Sequence, residues 1–174
     1  MRVVAGQYGG RRLAVPPGRG TRPTADRVRE ALFSILGDVA GTRVLDLFAG
    51  SGALGIEALS RGAASAVFVE SDVRAAAVIR RNLETLGSEA EVRRQDALRY
   101  LAVAEGTFDL VFLDPPYDHA SRLAGPLAER LPSLLTDAGR IVTESNKRMP
   151  LELSLPLLRE RTYGDTRIAV HGGQ

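Results

Sequence analysis

Cysteine is absent from this chain of 174 residues, and histidine occurs only twice. A chain without thiols forms neither a disulfide framework nor a thiolate metal site, and two isolated histidines supply no ligand cluster. No apolar run reaches the roughly 18 residues that a membrane-spanning helix requires, and the N-terminus lacks the charged-then-apolar pattern of a signal peptide. We therefore expect no metal, no membrane contact and a cytoplasmic protein, which we take to be a monomer.

Lysine is also nearly absent, with Lys147 the single lysine among 23 basic residues. The positive charge is concentrated near the N-terminus, where residues 1–30 hold seven arginines against two acidic residues. Coding bias alone can enrich arginine, so the position of this cluster is the useful observation. A guanidinium binds phosphate through two parallel hydrogen bonds, which makes nucleic acid the natural partner. The candidate RNA contacts are Arg2, Arg11, Arg12, Arg19 and Arg22.

The remaining composition is that of a globular chain, with 44% apolar residues and enough length to bury a core. Strand-like apolar runs alternate with amphipathic helical runs, which predicts an α/β fold with a mostly parallel, twisted sheet. We expect strands near residues 43–48, 66–70, 90–93, 108–113 and 139–144, and helices near residues 53–60, 73–86 and 119–131.

Both ends of the chain carry hairpin signals. Residues 157–163 and 166–171 are strand-like runs separated by a Gly-Asp pair, which predicts an antiparallel hairpin at one edge of the sheet. Residues 2–8 and 11–15 flank a Gly-Gly pair and predict a short N-terminal β-hairpin.

The N-terminal hairpin suggests a division of the chain into two parts. Residues 1–22 form a basic hairpin arm and linker, and residues 23–174 form the main domain. We expect Thr24 to cap the first helix of this domain, which has an apolar stripe from Val28 to Leu36. Arg27 and Arg29 lie off that stripe.

Asp114-Pro115-Pro116-Tyr117 follows the largely apolar run Phe108 to Leu113. The Asp114 carboxylate and a backbone carbonyl of the Pro-Pro pair can accept the two N–H bonds of an exocyclic amine, and proline keeps the turn stiff and free of donors. Tyr117 would stack on the face of a base. The alternative is an ordinary Pro-Pro turn beside an incidental Asp and Tyr. The motif favours an acceptor site for the amino group of guanine or adenine.

A glycine loop after the first expected strand indicates a nucleotide-like cofactor. Gly50, Gly52 and Gly55 match the dinucleotide fingerprint, and Glu70 lies at the end of the next strand. Asp46, however, would place negative charge close to the pyrophosphate of a dinucleotide. S-adenosylmethionine carries an ammonium and a sulfonium, so an acidic loop suits it better, and Glu70 would accept from its ribose hydroxyls.

Asp96 follows another short strand and either accepts the adenine amino group of the cofactor or caps a helix. Ligands of open α/β sheets bind beyond the carboxyl ends of the strands. Asp46, Glu70, Asp96 and Asp114 each stand near such an end, so we expect them to converge on one rim. Ser71 or Asp72 is expected to cap the helix from about Val73 to Leu86, which ends at Gly87.

Seven segments carry a family resemblance. They are Met1 to Gly6, Thr21 to Glu30, Asp46 to Gly55, Gly55 to Gly62, Phe68 to Glu70, Leu113 to Tyr117 and Tyr163 to Thr166. In these segments the sequence resembles the RsmD-type family of bacterial 16S ribosomal RNA guanine-N2 methyltransferases, over nearly the whole chain. The glycine loop and the Asp-Pro-Pro-Tyr motif occur in many methyltransferases, whereas the segment Thr21 to Glu30 and the basic hairpin are more particular to this family.

The resemblance implies a Rossmann-like class I methyltransferase that uses S-adenosylmethionine to methylate N2 of one guanine in 16S rRNA, either free or in the assembled small ribosomal subunit. The implied cofactor contacts are Asp46, Gly50, Gly52, Glu70, Asp96 and Ala97, and the implied base-holding residues are Asp114, Pro115, Pro116 and Tyr117. Two alternatives stay open. One is a DNA adenine-N6 methyltransferase with the same acceptor motif, and the other is a non-catalytic RNA-binding or assembly factor.

Overall fold

Seven strands form one mixed sheet in the part of the chain that the structure, a computed structural model, describes: residues 1–17, 26–116 and 120–172. The strands are β1 (Arg43–Leu47), β2 (Ser65–Val69), β3 (Glu91–Arg93), β4 (Phe108–Leu113), β5 (Leu135–Asn146), β6 (Leu157–Tyr163) and β7 (Thr166–Gly172). Their order across the sheet is β3-β2-β1-β4-β5-β7-β6. Strands β1 to β5 are parallel, and β7 is antiparallel to both of its neighbours. The predicted parallel sheet with an antiparallel edge hairpin is confirmed.

Helices cover both faces of this sheet. Within the described ranges they are α1 (Asp26–Leu36), α2 (Ala53–Ser60), α3 (Val73–Leu86), α4 (Ala97–Val103) and α5 (Ala120–Arg130), and a short 3₁₀ helix (Pro132–Leu134) follows α5. Helices α1, α2 and α3 share one hydrophobic cluster with the sheet, and α4 and α5 share the other. Leu110 and Phe112 of β4 belong to the first cluster, whereas Val111 and Leu113 belong to the second. A strand that is buried on both faces accounts for the continuous apolar run in the sequence.

Local capping explains where the middle helices begin and end. The Asp72 carboxylate accepts the N–H groups of Arg74 and Ala75, at 3.0 and 2.8 Å, and Gly87 caps the other end of α3. The predicted helices at 53–60 and 73–86 are confirmed at those bounds. Helix α4 was not predicted, because its seven residues are too few for a helical period to stand out. Thr24, the expected cap of α1, lies outside the described residues.

The N-terminal segment pairs with itself as expected, but over fewer residues. The Val3 N–H donates to the Arg11 carbonyl at 2.9 Å, and the Leu13 N–H donates to the Met1 carbonyl at 3.0 Å. Arg2 and Arg12 form an isolated antiparallel bridge. The side chains of Val3 and Leu13 are buried in the cluster that contains α1 to α3. The hairpin is therefore packed into the first hydrophobic layer of the fold.

The strand expected over residues 2–8 ends early because side chains of α2 accept hydrogen bonds from its backbone N–H groups. Glu57 of α2 accepts the N–H groups of Val4 and Ala5, at 2.7 and 3.0 Å. Ser60, one turn further along α2, accepts the Tyr8 N–H at 2.9 Å and donates to the Ala5 carbonyl. These N–H groups are then no longer available to a β-ladder, so the chain turns instead.

Arg29 is fully buried, although its position off the apolar stripe of α1 suggested exposure. Its guanidinium pairs with Asp26 at 3.0 Å and with the buried Glu57 at 3.4 Å, and it donates to the Arg2 carbonyl. The periodicity of α1 did not reveal this burial because the N-terminal segment covers the polar side of the helix. Arg27 is exposed, as expected.

Candidate active site

A pocket opens at the carboxyl ends of the parallel strands, where the strand order reverses. The chain runs from β1 outward to β3 and then returns to β4 on the other side of β1. Such a reversal point is where open α/β sheets bind their ligands. The mouth of the pocket is open to solvent. Its walls are Phe48, Val69, Glu70, Ser71, Gln95, Asp96, Ala97, Asp114 and Pro116.

Glu70 joins the glycine loop to the end of β2. Its Oε2 accepts the Gly50 N–H at 2.8 Å, and its Oε1 accepts the Asp72 N–H at 2.8 Å. Glu70 is buried, yet it also forms part of the pocket wall. Each carboxylate oxygen has a second lone pair, so these bonds leave acceptor capacity for a ligand.

Asp46 lies beneath the glycine loop and does not line the pocket itself. Its Oδ2 accepts the Gly55 N–H at 2.9 Å, and the residue is 2% exposed. Gly50 and Gly52 bring the chain over Asp46 with φ values of 57° and 79°, which residues with a Cβ rarely adopt. The predicted group of strand-end carboxylates is therefore arranged in two levels, with Glu70, Asp96 and Asp114 in the wall and Asp46 behind it.

Burial raises the pKa of the Asp46 carboxyl from 3.8 to about 8. The hydrogen bond from Gly55 opposes this rise, and the negative charge of Glu70 adds to it. A carboxylate in such a place is costly unless a positive charge compensates it. The carboxyl therefore keeps its proton near neutral pH in the ligand-free protein, and a cation bound beside it would favour the ionised form.

Asp96 both caps a helix and lines the pocket. Its Oδ1 accepts the Arg99 N–H at 3.0 Å at the start of α4, and the residue also forms part of the pocket wall beside Ala97. The two interpretations of Asp96 therefore do not exclude each other, because a carboxylate has a second oxygen to offer.

The acceptor turn begins where β4 ends. Asp114 is half-buried, Pro115 is buried and Pro116 is exposed. Asp114 and Pro116 line the same pocket as Glu70 and Asp96. Tyr117 lies outside the described residues, as does His119.

Phe48 lines the pocket but was not predicted from the sequence as a site residue. It lines the wall, and it is the only described non-glycine residue with a positive φ, at 63°. A bulky residue in this region is strained, and such strain is held at ligand sites by the surrounding structure. Phe48 continues the apolar run of β1, so nothing in the sequence distinguished it from a strand residue.

The candidate RNA contacts of the hairpin lie apart from the pocket wall. Arg2 is exposed and pairs with Asp26 at 3.0 Å. Arg11 donates to the Thr85 carbonyl of α3 at 2.8 Å, and Arg12 is exposed. Arg19 and Arg22 fall outside the described residues.

Neither a cluster of metal ligands nor a membrane-spanning helix occurs in the described residues. Across residues 1–17, 26–116 and 120–172, no three His, Asp or Glu side chains are grouped so as to hold a metal ion. In the same ranges, no helix combines the length and the apolar character needed to cross a membrane.

Comparisons with known proteins agree with this geometry. Residues 1–172 match the model of the family described as Conserved hypothetical protein 95. YlbH of Bacillus subtilis (strain 168) is 41% identical over 180 residues, which cover 98% of either chain. Ribosomal RNA small subunit methyltransferase D of Escherichia coli (strain K12) is 42% identical over 147 residues, which cover 83% of this chain and 71% of that protein.

The fold is also similar to solved structures. The structure of yhhF from Escherichia coli aligns with a TM-score of 0.85 at 36% identity and covers 100% of this chain and 98% of the other. The match extends over the hairpin, the sheet and the pocket alike. The chain therefore belongs to the Conserved hypothetical protein 95 family, the RsmD-type family whose motifs its sequence resembles.

Proposed function

We propose that this chain transfers a methyl group from S-adenosylmethionine to the exocyclic N2 of a guanine in 16S rRNA. One observation carries the proposal: Asp114 and Pro116 of the acceptor turn line the same pocket as the acidic residues Glu70 and Asp96. A direct transfer requires donor and acceptor in one cavity, because the reacting atoms must approach to about 3 to 3.5 Å. The family relationship to ribosomal RNA small subunit methyltransferase D supports the same substrate class.

The residues around the pocket fit a cationic cofactor. S-adenosylmethionine supplies an electrophilic methyl group on a sulfonium and also carries an ammonium. Asp46 becomes the negative charge beneath the glycine loop when the cationic cofactor binds and favours the ionised form of its carboxyl. Glu70 accepts from ribose hydroxyls, and Asp96 accepts from the adenine amino group. Ala97, at the first position of α4, forms the apolar wall beside Asp96.

A dinucleotide fits this loop poorly. In dinucleotide sites the N–H groups of the loop and of the helix N-terminus face the pyrophosphate. Here the Gly50 N–H is taken by Glu70 and the Gly55 N–H by Asp46, at 2.8 and 2.9 Å. These two acidic side chains thus occupy donors that the two phosphates would need, and the negative charge of Glu70 would repel the phosphates as well.

The acceptor turn orients a weak nucleophile. The lone pair of the guanine amino group is delocalised into the ring, so the nitrogen must be drawn toward a tetrahedral geometry. The Asp114 carboxylate and the Pro115 carbonyl accept its two N–H bonds, and neither proline offers a competing donor. Tyr117 is the proposed stacking partner of the base, which must leave its own stack to enter the pocket.

The basic arm, residues 1–22, is the proposed contact with the RNA backbone. Arg11 and Arg12 stand on its second strand, and Arg2, Arg19 and Arg22 extend the same positive segment. Their role is to position the RNA, because phosphate contacts carry no sequence information.

The test is to identify the methylated nucleoside. The protein would be incubated with methyl-labelled S-adenosylmethionine and with unmodified 16S rRNA, either as a transcript or within small ribosomal subunits. Nucleosides from the digested RNA would then be separated and identified by mass spectrometry. We expect labelled N2-methylguanosine, and its absence from both RNA substrates would reject the proposal.

The same assay separates the two alternatives. Label in N6-methyladenosine of a DNA substrate would identify a DNA adenine methyltransferase. A protein that binds RNA but gives no thermal shift with S-adenosylmethionine would be a non-catalytic factor. The acidic pocket beside the acceptor turn favours the RNA methyltransferase over the non-catalytic factor.

A further inference from the structure

Asn82 of α3 joins the N-terminal segment to the glycine loop. Its Oδ1 accepts the Ala14 N–H at 2.8 Å, and its Nδ2 donates to the Ala14 carbonyl at 3.1 Å. The second proton of Nδ2 is donated to the Ser51 carbonyl, also at 3.1 Å. Asn82 is 3% exposed, so these bonds are sheltered from water. One buried amide thus holds two segments that are far apart in the sequence.

The Ser51 carbonyl is available to Asn82 because Ser51 precedes α2, whose first helical hydrogen bond runs from the Ile56 N–H to the Gly52 carbonyl at 2.9 Å. The Gly55 N–H lies in the first turn of α2, where the N–H groups have no acceptor within the helix. It donates to Asp46 at 2.9 Å. Asp46 and Asn82 therefore satisfy two backbone groups at the start of α2 that no helical hydrogen bond satisfies.

The two segments that Asn82 joins have different proposed ligands. Ala14 lies two residues after Arg12, in the segment that carries the proposed RNA contacts. Ser51 lies between Gly50 and Gly52, in the loop proposed to hold the cofactor. Both Nδ2 protons of Asn82 are used, one for each segment, so a shift of either segment changes the hydrogen bonds of the other.

We propose that Asn82 is a positioning residue that couples RNA binding at the N-terminal segment to cofactor binding at the glycine loop. This inference rests on the proposed function. RNA that holds the strand at Ala14 fixes the Asn82 amide, and the fixed amide holds the Ser51 carbonyl and with it the loop. By linkage, the factor by which RNA raises cofactor affinity equals the factor by which the cofactor raises RNA affinity.

Ser60 provides a matched control because it anchors the same segment without touching the loop. Its hydroxyl accepts the Tyr8 N–H and donates to the Ala5 carbonyl. Ser60→Ala and Asn82→Ala thus each remove two hydrogen bonds to the N-terminal segment. Asn82→Ala alone also removes the bond to Ser51. A merely structural role of Asn82 would make the two variants behave alike.

The experiment measures dissociation constants for S-adenosylhomocysteine with and without unmodified 16S rRNA transcript, by calorimetry on the full chain. In the wild type we expect the RNA to tighten cofactor binding roughly fivefold, within the usual range of coupling between sites. Asn82→Ala should weaken cofactor binding without RNA by roughly tenfold, as the loss of one buried hydrogen bond allows. Its coupling factor should fall to about one, while Ser60→Ala should keep both the affinity and the coupling of the wild type.

Hydrogen exchange gives a second readout, and its wild-type part needs no variant to fold. Binding of the transcript should slow exchange of the amides of Gly50 and Gly55, and it should do so in Ser60→Ala but not in Asn82→Ala. Wild-type protein that binds both ligands with independent affinities would overturn the coupling and leave the proposed function intact. Equal losses in the two variants would overturn it as well. Wild-type protein that binds neither ligand would overturn the proposed function and this inference with it.

Discussion

The N–H of Gly55 donates to the Asp46 carboxylate at 2.9 Å, and the Cα of the same glycine faces the ring of Phe68. A Cβ atom at Gly55 would lie 2.4 Å from Cε1 of that ring and 3.1 Å from Oδ2 of Asp46. The missing side chain therefore lets α2 approach both β1 and β2. This close approach is what places the carboxylate under the glycine loop.

We expect Gly55→Ala to destabilise the protein by about 1 to 3 kcal/mol, the usual cost of overpacking a core. Phe68 is fully buried, so its ring has little room to move away. The change in the free energy of unfolding would be measured by urea denaturation. S-adenosylhomocysteine affinity should fall too, because a displaced α2 lengthens the bond to Asp46.

Gly125→Ala is the control for this substitution. Gly125 is exposed on α5, and a Cβ there meets nothing within 4 Å. The stability of this variant should equal that of the wild type or exceed it by up to about 1 kcal/mol, because alanine has a higher helix propensity than glycine. If Gly55→Ala were equally harmless, the tight packing of α2 on Phe68 would be wrong.

The raised pKa of Asp46 predicts that the stability of the ligand-free protein depends on pH. Its pKa is about 8 in the folded state and 3.8 as the ordinary value. Between these two values the folded state keeps a proton that the unfolded state has released. The contribution of Asp46 to stability is therefore complete below pH 3.8 and is lost as the pH rises through 8. The slope is at most about 1.4 kcal/mol per pH unit.

Asp46→Asn isolates this contribution because the amide keeps an oxygen for the Gly55 N–H. We expect the variant to be more stable than the wild type at pH 8 and to have a flatter dependence of unfolding free energy on pH. Denaturant melts at several pH values from 4 to 8 would measure the difference between the two proteins. Parallel curves would mean that Asp46 is already ionised in the folded protein. The variant should also bind S-adenosylhomocysteine more weakly, since the negative charge is gone.

Short-range patterns in the sequence were enough to predict which strand ends carry the site residues. Strand periods and the turn after each strand located the ends that carry Glu70, Asp96 and Asp114, and the reversal rule for open sheets placed these ends together. The same rule placed Asp46 too close to the surface. Its depth follows from the bond to Gly55, which depends on how α2 packs.

The residues that sequence patterns missed are held by long-range contacts. Arg29 and Glu57 look like surface charges on two helices, yet each is buried because the N-terminal segment covers them. Asn82 lies within α3, and only the folded chain brings Ala14 and Ser51 to it. The backbone of Phe48 is strained at its place between β1 and the loop, and no sequence pattern indicates such strain.

Asp114→Ala should lose at least roughly two orders of magnitude in turnover, on the scale of other positioned hydrogen-bonding groups in active sites. The reason is that the target amine loses the acceptor that aligns it. Affinity for S-adenosylhomocysteine should change little, because the proposed cofactor contacts are made by other residues of the pocket, Glu70 and Asp96. Single-turnover rates and calorimetry would separate the two effects. Near-normal turnover would refute the role of Asp114.

Asp96→Asn is the matched control for this measurement, since it also changes a carboxylate in the pocket wall. The amide keeps an oxygen for the Arg99 N–H, so the cap of α4 survives. We expect its main effect on cofactor affinity and a smaller effect on the rate of transfer from the saturated enzyme. A larger rate loss for Asp96→Asn than for Asp114→Ala would reverse the two assignments.

The double substitution of Arg11 and Arg12 to Ala tests the hairpin as an RNA surface. Each phosphate contact that is lost should lower the slope of log affinity against log salt by about 0.7 to 0.9. Anisotropy titrations of unmodified 16S rRNA fragments at several salt concentrations would give this slope. Arg159 and Arg161 are exposed on the edge strand β6, and their double substitution to Ala removes the same charge. A change in slope with the hairpin pair and none with the edge pair would locate the RNA, because nonspecific loss of positive charge would affect both equally.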